Sequence, residues 1–477
     1  MPTVKPIENF GRNVRFQPTS YHEPRDEAEV LAILDQHRHC QIRAIGSLHA
    51  WSDVAVGEGV VVNLKRLQQV ELQEDGQSAW VGAGCQIKTL LEGLRKHGRT
   101  LPSLGLITEQ TIAGATSTGT HGSGRHSLSH YVEAVRVARY DTATGAAIIE
   151  LIDDGDALRA ARCSLGCLGV IVSVKIRCRE LYGIEEHFRE YRELEPVLQA
   201  EAQDPLQQFF LVPWRWTFLA QHRREVPLLR SRSAWLYRIY WYLSIDLGLH
   251  LLILFALRLV RSAGFVRFLF RSVIPNTVPR GWKVTDESSA MLVMEHELFR
   301  HIELELFVTR DRLDESLKYV RDVLTVAAGA STELPATWQS SPDAEGLSAL
   351  RGEYCHHYPI CIRRVVPDDT LVSMASGGTQ DWYAISVVSY ARPSERNGFR
   401  QVAEFLATTM SHRFGARPHW GKYCPLAVEK LIGSYPRFAE FRQICLDRDP
   451  EGVFRNPWTT SLFQTTSTEV TTVDRDS

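Results

Sequence analysis

Gln41-Ile42-Arg43-Ala44-Ile45 alternates polar and apolar residues, and Gly59-Val60-Val61-Val62-Asn63-Leu64 is a short β-branched run, so both are predicted to be strands. Gly46 permits a sharp exit from the first, which makes Gly46-Ser47-Leu48-His49-Ala50-Trp51-Ser52-Asp53 a turn that presents His49 at a strand end. Ala79-Trp80-Val81-Gly82-Ala83-Gly84 reads as a further strand. Leu90, Leu91 and Leu94 then recur at helical spacing ahead of Gly98, a residue suited to closing a helix. Residues 135–140 and 147–151 flank Asp141-Thr142-Ala143-Thr144-Gly145 as the arms of a hairpin, and residues 168–176 form a strongly apolar, buried strand. From about Phe16 to Cys178 the texture is short strands, glycine turns and brief helices, a mixed α+β pattern.

The pattern changes between about residues 233 and 276. Trp235, Tyr237, Tyr240, Trp241 and Tyr242 precede Leu251-Leu252-Ile253-Leu254-Phe255-Ala256-Leu257. Asp246 and His250 interrupt the stretch, and its uncharged run from Leu247 to Leu257 is shorter than the ~20 residues a spanning helix needs. Ten arginines stand against two acids, Glu225 and Asp246, from Arg223 to Arg280. Two readings stay open: an interfacial helix pair with aromatic anchors, peripherally associated with an anionic membrane, or helices packed within a substrate domain. The Thr- and Ser-rich stretch 464–477 is expected to be disordered.

Composition narrows the function. A chain of 477 residues exceeds one ordinary core, so two or three domains are expected. Its 54 Lys plus Arg against 56 Asp plus Glu give −2, which offers no basis for nucleic-acid binding and favours a small-molecule site. Nine scattered cysteines without a Cys-x-x-Cys pair argue against a disulfide framework and a zinc site, and read as reduced thiols in the cytoplasm. Met1-Pro2-Thr3-Val4-Lys5-Pro6 shows no secretory signal.

A second chemical feature is Thr111-Ile112-Ala113-Gly114-Ala115-Thr116-Ser117-Thr118-Gly119-Thr120-His121-Gly122-Ser123-Gly124, in which almost every side chain is small. Such a run lets amides and hydroxyls approach a ligand, phosphate oxygens above all. It matches neither Gly-x-Gly-x-x-Gly nor a P-loop, and Ser123 lacks the surroundings of a nucleophile elbow. His121, His126 and His130 are spaced by five and four with no nearby carboxylate, so no metal site is expected.

Together these motifs resemble the vanillyl-alcohol oxidase type of FAD-binding superfamily, within it the sugar-1,4-lactone and alditol oxidases typified by gulonolactone and arabinonolactone oxidases. Gly46-Ser47-Leu48-His49-Ala50-Trp51-Ser52-Asp53 matches the family's Gly-x-x-His-x-x-Ser-Asp turn, Gly114 through Gly124 its Gly-rich run, and Arg417-Pro418-His419-Trp420-Gly421-Lys422 its C-terminal signature. The resemblance implies an α+β fold: a two-subdomain FAD-binding domain of the PCMH type over 1–180, a substrate (cap) domain with a large antiparallel sheet over 181–400, and a segment over 401–463 returning to the flavin. It implies FAD contacts from Gly46, Ser47, Leu48, His49, Ala50, Ser52, Asp53, Gly105, Thr111, Gly114, Ala115, Ser117, Thr118, Gly119, His121, Gly122, Gly169, Val170, Ile171, His419 and Lys422, with His49 as covalent tether.

The implied activity is FAD-dependent oxidation of a CH–OH group. Lys422 and Arg363 would stabilise charge at the hydroxyl oxygen, and Gly105, where the family's oxidases keep a small residue, favours O2 as acceptor with H2O2 released. Two departures stand out. Cys361 replaces a glutamate and Leu106 a serine of the polyol-binding pattern, which leaves sugar hydroxyls unpaired at roughly 1–3 kcal/mol each and points to a less polar alcohol. The alternatives are a membrane-associated dehydrogenase passing electrons to a quinone or cytochrome, motivated by the Arg-rich segment, and a flavoprotein with little turnover, motivated by Cys361.

Overall fold

The computed structural model describes residues 4–294 and 298–464; past Gln464, which ends a helix, the stretch expected to be disordered lies outside the described residues. Val60, Val61 and Val62 are fully buried in the middle strand, Val60–Asn63, of a parallel sheet flanked by Ser20–His22 and Ile42–Ile45. β-Branched residues filling both faces suit a strand covered on both sides. The helix Glu27–Gln36 buries Val30, Ile33 and Leu34 in the core that this layer shares with the strands Val132–Tyr140 and Ala147–Ile152. Its start is held reciprocally: the Glu29 amide donates to the Asp26 carboxylate and the Arg25 amide to the Glu29 carboxylate, both at 2.8 Å.

A five-stranded antiparallel sheet follows, in the order Ala147–Ile152, Val132–Tyr140, Val170–Arg177, Ser78–Gly82, Val70–Leu72. The hairpin pairs Ala147 with Tyr140, as its turn residues predict. Ile87, Leu90, Leu91 and Leu94 bury one face of the helix Ile87–Arg95 in the same core.

The second half is organised by an eight-stranded antiparallel sheet: Val284–Glu287, Gly183–Tyr191, Thr217–Val226, Gln208–Val212, Ile360–Val365, Trp382–Ser389, Ile302–Thr309 and Arg417–Pro418. Side chains of a strand alternate between faces. Leu304, Leu306, Ile360, Ile362, Ile385 and Val387 pack in one core with the helices Leu313–Ala327 and Asn397–Phe414. The intervening Glu303, Glu305, Cys361, Arg363, Ser386 and Val388 face a cavity on the other side. Register aligns them: Glu305 lies opposite Ser386, Ser386 opposite Cys361, Cys361 opposite Phe210, and Phe210 opposite Leu219. One cross-strand row therefore runs from a carboxylate to aliphatic side chains.

Two sequence expectations change. The helix Asn397–Phe414 crosses the boundary expected at residue 400, because Phe399, Val402, Leu406 and Met410 are buried in the core that the sheet shares with it. The return toward the first core begins at Arg417–Pro418, which pairs with Ile302–Thr309, and continues with the helices Phe438–Arg448 and Pro457–Gln464. Further, Ala234–Val260 is one helix of 27 residues, long and apolar enough to cross a membrane. Asp246 and His250 do not break it because they sit inward: Asp246 lines the cavity and His250 Nε2 lies 2.8 Å from the Tyr390 hydroxyl. Only 22 % of the apolar stretch is buried. Arg261, in the left-handed region at φ 51°, ends the helix, and Val266, Leu269 and Phe270 of the following helical turns pack with its Ile253 and Ala256.

Candidate active site

His49 stands on a strained turn. Leu48 adopts φ 57°, costly for a residue with a side chain, and its carbonyl accepts from the Phe10 amide at 2.9 Å. The imidazole stacks on Phe10, ring centroids 4.9 Å apart at 18°, and is half-buried. Burial, seconded by the nearby positive charge of Lys422, pushes its pKa down to about 4, so the ring is neutral at pH 7. Gly46 cannot carry a side chain, since a Cβ would fall 2.1 Å from Thr111 Oγ1.

A cavity of about 130 Å³ runs along this turn. Of the residues carried by the resemblance, Gly46, Ser47, Leu48, His49, Ala50, Thr111, Gly114, Ser117, Thr118, Gly169, Ile171, His419 and Lys422 line it. Gly105 and His121 line a second cavity of about 350 Å³, which shares His419 and Lys422 with the first. Six expected contacts line neither. Ser52 Oγ donates to the Trp420 carbonyl, and the Asp53 carbonyl accepts from Asn456 Nδ2 at 2.7 Å. Ala115 and Val170 point into the core. A Cβ at Gly119 would meet Met374 Cε at 2.9 Å, and one at Gly122 the Leu104 carbonyl oxygen at 2.3 Å. The small residues of the run thus serve close packing as much as ligand approach, because its first half is the helix Ile112–Ser117 with one side on the cavity.

The junction of the two cavities holds the charged groups. Lys422 Nζ is ion-paired with Glu303 and lies 4.6 Å from the centroid of the Trp51 ring. Arg363 Nη1 is 3.8 Å from Glu305 Oε1, and its Nε donates to Gln208 Oε1 at 3.2 Å. Ser386 Oγ donates to Glu305 Oε1 at 2.6 Å, while His121 Nε2 and His419 Nε2 stand 3.5 and 4.0 Å from Glu305 Oε2. The tautomers follow from the far sides of the rings. The Gly421 amide donates to His419 Nδ1 at 2.9 Å, so Nε2 carries the hydrogen. His121 Nδ1, 2.9 Å from the Gly122 carbonyl, can only donate there. His121 Nε2 and Glu305 Oε2 would then oppose two lone pairs unless a proton is held between them. Burial disfavours the Glu305 carboxylate, but the interaction with His121, seconded by the charge of Lys422, outweighs it and holds the group well below its usual range. Burial pushes His419 down to about 3.

Glu303 and Glu305 are absent from the sequence reading, although Ile302-Glu303-Leu304-Glu305-Leu306 carries the signal: two carboxylates, two residues apart, in an otherwise apolar strand. Cys361 and Leu106 both line the large cavity, and burial raises the Cys361 thiol pKa. At Gly105 a Cβ would lie 2.9 Å from Thr120 Cγ2. His121, Glu305 and His419 bring ligand atoms within 4.8 Å of one another, a spacing that could seat a metal ion, but the neighbouring Arg363 guanidinium opposes a cation there. His126 and His130 stack on each other at 4.0 Å and line neither cavity.

Residues 18–148 match the FAD binding domain family and residues 249–462 the D-arabinono-1,4-lactone oxidase family. The chain is 55% identical over 463 residues to a long-chain alcohol oxidase from an uncultured marine euryarchaeote, covering 96% of this chain and 97% of that one. It is 24% identical over 478 residues to L-gulonolactone oxidase of Mus musculus, covering 96% and 98%. A solvent-stable cholesterol oxidase superposes with a TM-score of 0.71 at 15% identity, covering 96% and 97% of the two chains, which establishes the shared fold. The chain belongs to the sugar-1,4-lactone and alditol oxidase group of the vanillyl-alcohol oxidase type flavoproteins. It is an FAD-dependent oxidase of CH–OH donors.

The residues present fit the cofactor. An added Cβ at Gly114 would meet nothing closer than Thr111 Oγ1 at 3.1 Å, which leaves the cavity side of the run open to a ligand. The narrow arm along the His49 turn and the wide arm ending at Lys422 join at His419, a shape for an elongated ligand whose reactive end lies among the charged groups.

Proposed function

We propose that this chain oxidises a long-chain primary alcohol to the aldehyde. The observation that carries this is the wide cavity: Phe210, Val212, Leu219, Leu249, Ile274 and Val278 wall it, and Lys422, Arg363, Glu305 and His419 close one end. An alkyl chain fits the wall, and a single hydroxyl fits the polar end. Cys361 and Leu106 offer no partner for further hydroxyls, whereas the relative that is 55% identical bears the name of a long-chain alcohol oxidase.

FAD, when bound along these cavities, would supply the hydride acceptor for the CH–OH carbon and the route for electrons to O2, giving H2O2. The turn at His49, together with Thr111, Gly114, Ser117, Thr118 and Gly169, would hold it. Lys422 and Arg363 orient the hydroxyl and stabilise its oxygen as the proton leaves. Glu305, held ionised, balances the Arg363 charge at this end of the cavity. We assign covalent flavin attachment to His49, whose neutral ring has the lone pair the bond requires. Nine free thiols support a cytoplasmic setting, and the apolar, Arg-flanked helix Ala234–Val260 supports peripheral membrane association.

Two measurements test the reading. Dodecanol should give stoichiometric peroxide in air, while gulonolactone and sorbitol give little; a preference for the lactone or polyol would refute the substrate class. Flavin should stay with acid-precipitated protein and leave His49→Ala; release from the wild type would refute the tether.

A further inference from the structure

The helix Ala234–Val260 carries different chemistry on its two sides. Inward, Tyr237, Trp241, Ile245 and Leu249 line the substrate cavity. Outward, Trp235, Ile239, Leu243, Leu251 and Leu259 are exposed, Leu259 at 73% of its surface, and Phe268 of the next helix extends the patch. Tyr242 does both: it lines the cavity and is 43% exposed. At that point the cavity wall is one side chain thick. An apolar face of this extent on a lone chain marks a contact with lipid or protein. Arg258 and Arg271 stand at its rim, exposed and without an ion pair among the described residues. That charge complements an anionic bilayer surface.

We infer that the substrate enters the cavity sideways from a lipid leaflet, past Tyr242, between the membrane-facing side of this helix and the catalytic end. The inference rests on the long-chain alcohol reading and adds the route. Each methylene favours lipid over water by about fourfold, so a long alcohol is dissolved in membrane and scarce in water. A cavity that opens within the lipid-facing patch receives such a molecule without returning its chain to water, hydroxyl first, so that Lys422 and Arg363 at the closed end capture the hydroxyl.

The test uses the FAD-loaded, full-length protein and Leu243→Glu/Leu259→Glu, whose changes lie on the outer face and off the cavity lining. Hexadecanol is supplied in phosphatidylcholine vesicles with or without phosphatidylglycerol, and octanol in buffer. The wild type should float with the phosphatidylglycerol vesicles, less so at high salt, and oxidise their hexadecanol; the double variant should lose both by roughly tenfold or more while keeping its octanol rate. A variant that stops floating yet still oxidises vesicle hexadecanol at the wild-type rate would overturn lateral entry, as would a wild type that does not float. A wild-type dimer that the double variant splits would assign the face to a second copy and also overturn it. Hexadecanol in neutral detergent micelles separates the two claims: no oxidation there sinks the substrate assignment, whereas oxidation in micelles but not from vesicles sinks the route alone.

Discussion

If the wide cavity holds an alkyl chain, catalytic efficiency must rise with chain length and stop rising where the wall ends. The row from Glu305 through Ser386, Cys361 and Phe210 to Leu219 spans four strand steps, about 19 Å at ~4.8 Å per step. Each methylene buried along it contributes about 0.8 kcal/mol, hence about fourfold in kcat/KM per carbon. Leu219→Trp adds bulk at the far end of that row while leaving Lys422, Arg363 and Glu305 untouched. If it displaces about four methylenes, dodecanol loses about 3 kcal/mol, roughly 200-fold in kcat/KM, whereas butanol, which stays near the polar end, keeps its wild-type value. Overpacking could itself cost about 1–3 kcal/mol of stability, so a thermal melt accompanies the kinetics. The assay is peroxide-coupled initial rates for the even alcohols from butanol upward. Efficiency that does not change with chain length, or Leu219→Trp losing butanol and dodecanol alike with an unchanged melt, would refute the placement of the chain.

Lys422→Met should leave the Glu303 carboxylate buried and unpaired, at about 3–5 kcal/mol of stability by thermal melt, and lower kcat/KM by roughly a hundredfold or more. Lys422→Met/Glu303→Gln should recover most of the stability and none of the activity; recovery of both would remove Lys422 from the reaction. Burial lowers the pKa of His49, His301 and His357 to about 4 and of His356 and His419 to about 3. Below their ordinary 6.5 the unfolded chain binds more protons than the folded one, so stability that is full above pH 6.5 should fall toward pH 4, by up to about 2 kcal/mol per ring at pH 5. Denaturant midpoints that stay constant from pH 7 to 5 would contradict it. Cys361→Glu places a carboxylate beside Arg363 and Gln208 and should raise kcat/KM for polyols while lowering it for alkanols; no change in that ratio would show that the position does not select substrate.

Local pattern was enough for the elements of the first half. Ile42–Ile45, Val60–Asn63, the hairpin of Val132–Tyr140 with Ala147–Ile152, and Ile87–Arg95 form where alternation, β-branching and leucine spacing place them, because each buries its own apolar face with few long-range demands. The helix Ala234–Val260 escaped that reading for a physical reason. A hydropathy run treats Asp246 and His250 as breaks, but on a helix they project to one side, toward the cavity and Tyr390, and the opposite side stays apolar throughout.

The active site was half legible for a related reason. His49, Gly114, His419 and Lys422 lie in compact motifs, and a motif can be read one segment at a time. Glu303 and Glu305 acquire meaning only through pairing: the His419 amide donates to the Glu305 carbonyl at 3.0 Å and the Tyr423 amide to the Glu303 carbonyl at 2.9 Å, so the C-terminal segment is laid along that very strand. The same bonds place Lys422 on Glu303 and His419 against Glu305, while Trp51 donates its amide to Gly421 at 2.9 Å and ties the His49 turn to the same loop. Neither carboxylate would be tolerable in an apolar strand without the partners that this docking delivers. The docking of the 419–423 loop and the charge state of the site are therefore one event: a chain in which that loop detached would lose Lys422 from Glu303, and the junction of the two cavities with it.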